Sequence, residues 1–99
     1  MPLLHVALQE GFSNDTVEIR VNGTELFRKS GVSTRLQIGF ADSVETEVEA
    51  DAVDLAVSLP QKSLSKSIVF PISDPTYVGV SVEAQGIVFN VSMEPFGYL

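Results

Sequence analysis

The single histidine, His5, is the first residue whose type could support catalysis or metal binding. A catalytic base or a zinc ligand needs partners of a similar kind, and this chain of 99 residues has one His and no Cys. Residues 31–35 read GVSTR, which is not the G-x-S-x-G turn that presents a nucleophilic serine. We therefore predict a protein that is not an enzyme and that has no cofactor and no metal site.

The densest concentration of charge is acidic. Residues 42–54 contain six carboxylates and no Lys or Arg. Glu45, Glu47 and Glu49 alternate with apolar or small residues, so they should share one strand face about 6.5–7 Å apart. A solvated face that opposes edge pairing is the simplest interpretation, and a basic protein partner or weakly bound Ca²⁺ is the alternative. The predicted acidic face consists of Glu45, Glu47, Glu49, Asp51 and Asp54.

The overall charge argues against two classes of partner. The formal net charge is −7, whereas nucleic acids and anionic membranes both require a basic surface. The first ten residues have no basic segment of the kind that opens a signal peptide. Cysteine is absent, which is more typical of a reducing compartment. The sequence therefore predicts a cytoplasmic protein that binds neither nucleic acid nor membranes.

The strand pattern places a few large apolar residues at positions where their side chains would be exposed. Phe27 should lie opposite Glu18 on the outer side of a hairpin. The last six residues read EPFGYL; we expect Phe96 to pack on its own domain and the two final residues to reach a neighbouring copy. The predicted interaction surface consists of Phe27, Tyr77, Phe96, Tyr98 and Leu99.

The elements that would position these residues are strands, because apolar and polar residues alternate along most of the chain. Residues 3–9 form the first predicted strand. Asn22-Gly23 separates two alternating runs and predicts a hairpin with a type I′ turn. That register places Arg20 opposite Glu25 as an exposed charge pair and Ile19 opposite Leu26 in the core.

Further strands follow the same logic. After a turn at RKSG, residues 32–40 read as a strand, and residues 43–48 and 53–59 read as a hairpin around EADA. Residues 61–67 read as a polar connection before a short strand that Pro71 assigns to a sheet edge. A last hairpin around Gln85-Gly86 pairs Val82 with Phe89.

This pattern predicts one domain, residues 1–99, folded as a small antiparallel β-sandwich of about seven to eight strands, with a small β-barrel as the alternative. In length and strand count the chain resembles the immunoglobulin and fibronectin III sandwiches; the resemblance implies a fold and no activity. We predict a non-catalytic protein-interaction or accessory module whose partner is an unknown protein or a second copy of itself. A carbohydrate-binding module, with exposed aromatic rings stacked on sugar, is the alternative.

Overall fold

A computed structural model describes residues 1–96, and these residues are almost entirely β-structure. The predicted residues Tyr98 and Leu99 lie outside the described part of the chain. Besides the strands there is one short 3₁₀ turn, Pro60–Lys62. The eight strands are β1 (Leu3–Leu8), β2 (Asp15–Val21), β3 (Thr24–Val32), β4 (Asp42–Glu47), β5 (Ala52–Leu59), β6 (Leu64–Pro71), β7 (Thr76–Glu83) and β8 (Gly86–Ser92).

The strands form two sheets of four, which confirms the predicted sandwich. The strand order is β4-β1-β7-β8 in sheet A and β3-β2-β5-β6 in sheet B. The inner faces of both sheets share one core, built largely from alternate residues of the central strands β1, β2, β5 and β7. Burial of these aliphatic side chains, among them Leu4, Ile19, Leu55 and Val78, removes apolar surface from water and is the main term that holds the sheets together.

One strand pair departs from the predicted antiparallel arrangement. β1 and β7 pair in parallel, with Leu4 opposite Thr76 and Leu8 opposite Val80. A parallel pair requires a long crossover connection, and here residues 9–75 provide it and include all of sheet B. In the immunoglobulin constant-type order the first two strands share a sheet, whereas here β1 and β2 lie in different sheets.

The hairpin between β2 and β3 follows the sequence prediction up to a bulge. Asn22 and Gly23 have φ of 50° and 82°, as the predicted type I′ turn requires. Arg20 pairs with Glu25 as expected, but Ile19 pairs with Phe27 instead of Leu26. Leu26 is therefore an extra residue on β3, and the predicted Ile19–Leu26 pair is wrong because a β-bulge shifts the register there.

The region after the hairpin is the largest correction. RKSG does not turn the chain: β3 continues to Val32 and has a second register irregularity opposite residues 15–17. The predicted strand 32–40 is instead a loop, in which Arg35 N–H donates to the carbonyl of Phe40 and Leu36 is 91% exposed at the tip. The Thr34 hydroxyl fastens this loop by donating to the Gln9 carbonyl at 2.6 Å and accepting from Phe12 N–H.

Two other predicted connections also differ. β4 and β5 do not form a hairpin: β4 pairs with β1 in sheet A, and β5 pairs with β2 and β6 in sheet B. The predicted polar connection 61–67 belongs mostly to β6, which pairs with β5 from Leu64 onward and ends at Pro71 at a sheet edge, as predicted. Alternation specifies which face a residue occupies but not which strand lies beside it.

In the hairpin of β7 and β8, the predicted inward-facing residues do face inward, but the strands pair in a different register from the predicted one. Val82 pairs with Ile87 and Val80 with Phe89, so the two-residue turn is Ala84-Gln85, one position before the predicted turn. Moving a two-residue turn by one position changes each pair by two residues, which leaves the inward set unchanged. The predicted pairing of Val82 with Phe89 is therefore wrong, although both side chains face inward as expected.

Candidate functional site

An open cleft lies at one side of the sandwich, between the free margins of the two sheets. It is bounded by β3, the outermost strand of sheet B, and by β4, the outermost strand of sheet A. Its volume is about 600 Å³. The lining residues come from the β2–β3 hairpin, from the end of β4 with the segment after it, and from the first residue of the chain: Met1, Val21, Asn22, Thr24, Glu25, Leu26, Thr46, Glu47, Val48, Glu49 and Ala50.

The floor of the cleft is apolar and its rim is acidic. Val48 is buried, and Val21 and Leu26 are half-buried against the core. Glu25, Glu47 and Glu49 are exposed, and none of the three carboxylates forms an ion pair with another residue between positions 1 and 96. The cleft therefore combines apolar surface with three unneutralised negative charges, an arrangement that suits a cationic and partly apolar ligand.

The β2–β3 hairpin forms one wall, and hydrogen bonds from the backbone and side chain of Asn22 to β5 hold it in place. The Asn22 N–H donates to the Asp54 carbonyl at 2.9 Å, and Asp54 N–H donates to the Asn22 side-chain oxygen at 2.8 Å. Glu25 lies opposite Arg20, but the two do not form the predicted ion pair: Glu25 lines the cleft and Arg20 lies on the outer face of sheet B. The bulge at Leu26 lies next to Glu25, in agreement with the way bulges redirect neighbouring side chains.

The opposite wall is the end of β4 and the segment after it. Val48 N–H donates to the Pro2 carbonyl at 2.9 Å, which ties this segment to the start of β1. In β4, Val44 packs on the core while Glu45 and Glu47 lie on the other face, as the alternation predicts. This wall therefore presents carboxylates from a backbone that is hydrogen-bonded to β1 and to the residue before it.

An ion pair connects the two sheets farther along the same margin. Lys29 of β3 donates to the Asp42 carboxylate of β4 at 2.8 Å. This hydrogen bond, together with one from Ser43 N–H, lowers the pKa of Asp42 below its ordinary value of 3.8, against the opposing effect of burial. The contact closes the margin at this point, so the cleft opens towards the Asn22-Gly23 turn.

The predicted acidic face is divided by the fold. Glu47 and Glu49 line the cleft, whereas the Glu45 carboxylate lies 3.6 Å from His5 Nδ1 on the outer face of sheet A. Asp51 is exposed in the loop before β5, and Asp54 is exposed on the other sheet. Among residues 1–96 no three His, Cys, Asp or Glu side chains converge as a metal site would require.

The predicted aromatic surface is also divided. Phe27 does not lie opposite Glu18 on the outer side of the hairpin: the bulge pairs it with Ile19, and it packs half-buried against the core. Tyr77 is half-buried on the outer face of sheet A, where its ring lies 5.6 Å from that of His5. Phe96 is half-buried. Phe27 and Tyr77 therefore do not lie on one surface.

Sequence reasoning missed half of the cleft. It identified Glu47 and Glu49 from the run of carboxylates, but Val21, Glu25 and Leu26 were assigned to an ordinary hairpin. Nothing in the sequence places that hairpin beside the acidic stretch, because the two belong to different sheets. A weak signal exists in Glu25, which is the second residue after the turn and is therefore placed at the same end of the sheet as the turn.

The described residues contain no helix of the length and apolarity needed to cross a membrane. Comparison of the chain with protein-family models, with curated proteins and with solved structures found no match in any of the three.

Proposed function

We propose that this chain is a non-catalytic protein-interaction module and that the cleft between β3 and β4 is its binding surface. The observation that carries the proposal is the apolar floor of the cleft with three unpaired carboxylates on its rim. The partner we propose is an extended segment of another protein in which basic and apolar side chains alternate. The apolar side chains of such a segment would cover Val21 and Leu26, and its basic side chains would face Glu25, Glu47 and Glu49.

An extended partner is favoured by the strands that border the cleft. β3 and β4 each have a neighbouring strand on one side only in the described part of the chain. An extended segment that lies between these two strands can contact both walls of the cleft through its side chains without becoming a further strand of either sheet. Its side chains alternate in direction, which matches a floor and a rim of different character.

The other expected properties are part of the same proposal. His5 contacts Glu45 and Tyr77 on the outer face of sheet A, away from the cleft, so we assign it no catalytic role. The negative net charge supports a protein partner over nucleic acid or an anionic membrane. A cytoplasmic location remains a prediction. We do not favour carbohydrate binding, because Phe27, Tyr77 and Phe96 are all half-buried and Phe27 and Tyr77 lie on different faces.

The test uses a fluorescently labelled synthetic peptide of alternating lysine and valine, with an alternating glutamate–valine peptide as the negative control. Binding is measured by fluorescence anisotropy. We expect the lysine peptide to bind and the glutamate peptide not to bind. The triple variant Glu25→Gln/Glu47→Gln/Glu49→Gln should weaken binding about tenfold, because exposed charge pairs contribute about 0.2–1 kcal/mol each.

A matched variant separates the cleft from the overall negative charge. Asp74→Asn/Glu83→Gln/Glu94→Gln removes three exposed carboxylates outside the cleft and gives the same net charge of −4. We expect this variant to bind within about threefold of the unmodified protein, because charges beyond a Debye length of about 8 Å are screened at physiological salt. Equal losses in both triple variants would mean that the peptide responds only to net charge, and the proposed site would be wrong.

A further inference from the structure

The four outermost strands of the sandwich are not equally protected against pairing with another strand. β3 has two register irregularities and carries Arg28 and Lys29. β4 has only six residues, two of them glutamates, and β6 ends at a proline. Short length, bulges, charges and proline are the features by which sheet edges avoid unwanted pairing. β8, Gly86–Ser92, has the sequence GIVFNVS with no charge and no proline, and it pairs with β7 without a register shift.

The end of β8 also leaves a core-facing side chain uncovered. Val91 lies directly opposite Val78 of β7, so both side chains point to the inner face of sheet A. Val78 is fully buried in the core, whereas Val91 is 41% exposed. Met93, just beyond the strand, is 59% exposed. An apolar row on the inner face therefore begins at buried Ile87, passes half-buried Phe89 and ends exposed at Val91.

We infer that β8 pairs antiparallel with β8 of a second copy of this chain, which joins the two copies of sheet A into one eight-stranded sheet. An antiparallel pair of identical strands has the two-fold symmetry that closed dimers require. The register that pairs all seven residues places Phe89 opposite Phe89 of the second copy. In that register Ile87 of each copy lies opposite Val91 of the other, which covers the exposed side chain.

A second copy fits this edge better than a charged partner does. Two molecules of net charge −7 repel one another, and the repulsion is strongest where charged surfaces meet. β8 contributes no charge to the contact, so each strand meets only the uncharged backbone and the uncharged side chains of the other. The cleft is on the β4 side of sheet A, at the opposite margin, and stays open in the dimer. The inference therefore does not rest on the proposed function of the cleft.

The experiment is sedimentation velocity over a range of protein concentrations. We expect a reversible dimer with a dissociation constant between about 1 µM and 1 mM, the range of small interfaces. Val91→Lys should be monomeric, because it places a charge opposite Ile87 of the second copy. Val69→Lys is the matched control: Val69 is a 68% exposed valine on β6, another outermost strand, and its substitution should leave the dimer intact.

Cross-linking tests the register independently of Val91. The chain has no cysteine, so introduced thiols are the only ones present. In the proposed register Val88 faces Asn90 of the second copy, so Val88→Cys/Asn90→Cys should form a covalent dimer on oxidation and Asn90→Cys alone should not. An unmodified protein that is monomeric at about 1 mM overturns the inference. So does a chain that dimerises only after removal of residues 97–99, because its own tail would then occupy the edge.

Discussion

Gly11 and Gly23 both have a positive φ, 89° and 82°, but their surroundings differ. A side-chain carbon built on Gly11 would lie 1.9 Å from the backbone oxygen of Val82, whereas no atom of residues 1–96 lies within 4 Å of the equivalent position on Gly23. An L-residue at a left-handed position costs about 1–2 kcal/mol in either case. At Gly11 the backbone of β7 must also move, since a carbonyl cannot rotate away as a flexible side chain can.

Alanine substitutions at the two glycines separate the cost of a positive φ from the cost of the close approach to Val82. We expect Gly23→Ala to lower the free energy of unfolding by about 1–2 kcal/mol and Gly11→Ala to lower it by at least about 2 kcal/mol more. Urea denaturation followed by circular dichroism measures both. Equal effects of the two substitutions would mean that the segment before β2 does not approach β7 as closely as described.

Among single residues, those that form turns are predicted from the sequence better than those that form bulges. Asn22-Gly23 could be identified because only a few residue types tolerate positive φ at both central positions of a two-residue turn. The bulge at Leu26 could not, because Glu25, Leu26 and Phe27 fit a regular strand equally well. That one extra residue changes the side of Phe27 from outward to core-facing. The predicted exposed ring and the predicted Ile19–Leu26 pair were lost for the same reason.

Among the elements, β3 and β4 depend on each other through Lys29 and Asp42. The lowered pKa of Asp42 means that its charged form is favoured by folding. A carboxyl group of this kind contributes stability at pH values above its ordinary pKa of 3.8, and the contribution disappears as the pH falls through the lower folded pKa. The contact therefore stabilises the association of the two sheets at neutral pH and not in acid.

The contact between Lys29 and Asp42 predicts how the free energy of unfolding changes when Lys29 is replaced. Lys29→Met should lower the free energy of unfolding at pH 7, by less than about 1 kcal/mol for a partly exposed pair. The control is Lys66→Met, which removes the same charge from an exposed lysine that forms no ion pair with a described residue. The difference between the two variants should shrink as the pH falls below about 4. A difference that is constant down to pH 3 would contradict the role of Asp42.

Elements themselves were predicted unevenly. β2, β5 and β7 show alternation over most of their length because one face of each strand packs on the core. Residues 32–40 also alternate, yet they form a loop, since the Thr34 hydroxyl and the Arg35–Phe40 contact provide hydrogen bonds that a neighbouring strand would otherwise supply. Leu36 is one of the alternating apolar residues and is nevertheless 91% exposed at the tip of this loop, so alternation alone does not specify a strand.

For the whole molecule, the sequence predicted the sandwich but not which strands lie at the edges of its sheets. Strand number, strand length and the absence of helical periodicity together favour two packed sheets over the alternative of a small barrel. Which strands are outermost depends on the order in which they pair, and the sequence does not specify that order. The cleft and the β8 edge are both properties of the margins. They therefore emerge only when β4 is placed beside β1 and β5 beside β2.

The two margins of sheet A also imply how the molecule would work as an assembly. The proposed dimer contact at β8 leaves one cleft free on each copy, at opposite ends of the joined sheet. A partner with two suitable segments could occupy both clefts, and the second contact would then form at a raised effective concentration. Disruption of the dimer by Val91→Lys should weaken binding of such a two-segment partner while leaving the affinity for a single peptide unchanged.

The central claim is that the cleft between β3 and β4 binds a basic extended segment, and mapping the bound peptide tests it most directly. Uniformly ¹⁵N-labelled protein is titrated with the lysine–valine peptide, and amide chemical shifts are followed by NMR. We predict saturable changes concentrated at residues 21–26 and 46–50, which disappear in Glu25→Gln/Glu47→Gln/Glu49→Gln. Changes spread over every acidic position, or concentrated on the outer face of sheet A around His5, would contradict the claim.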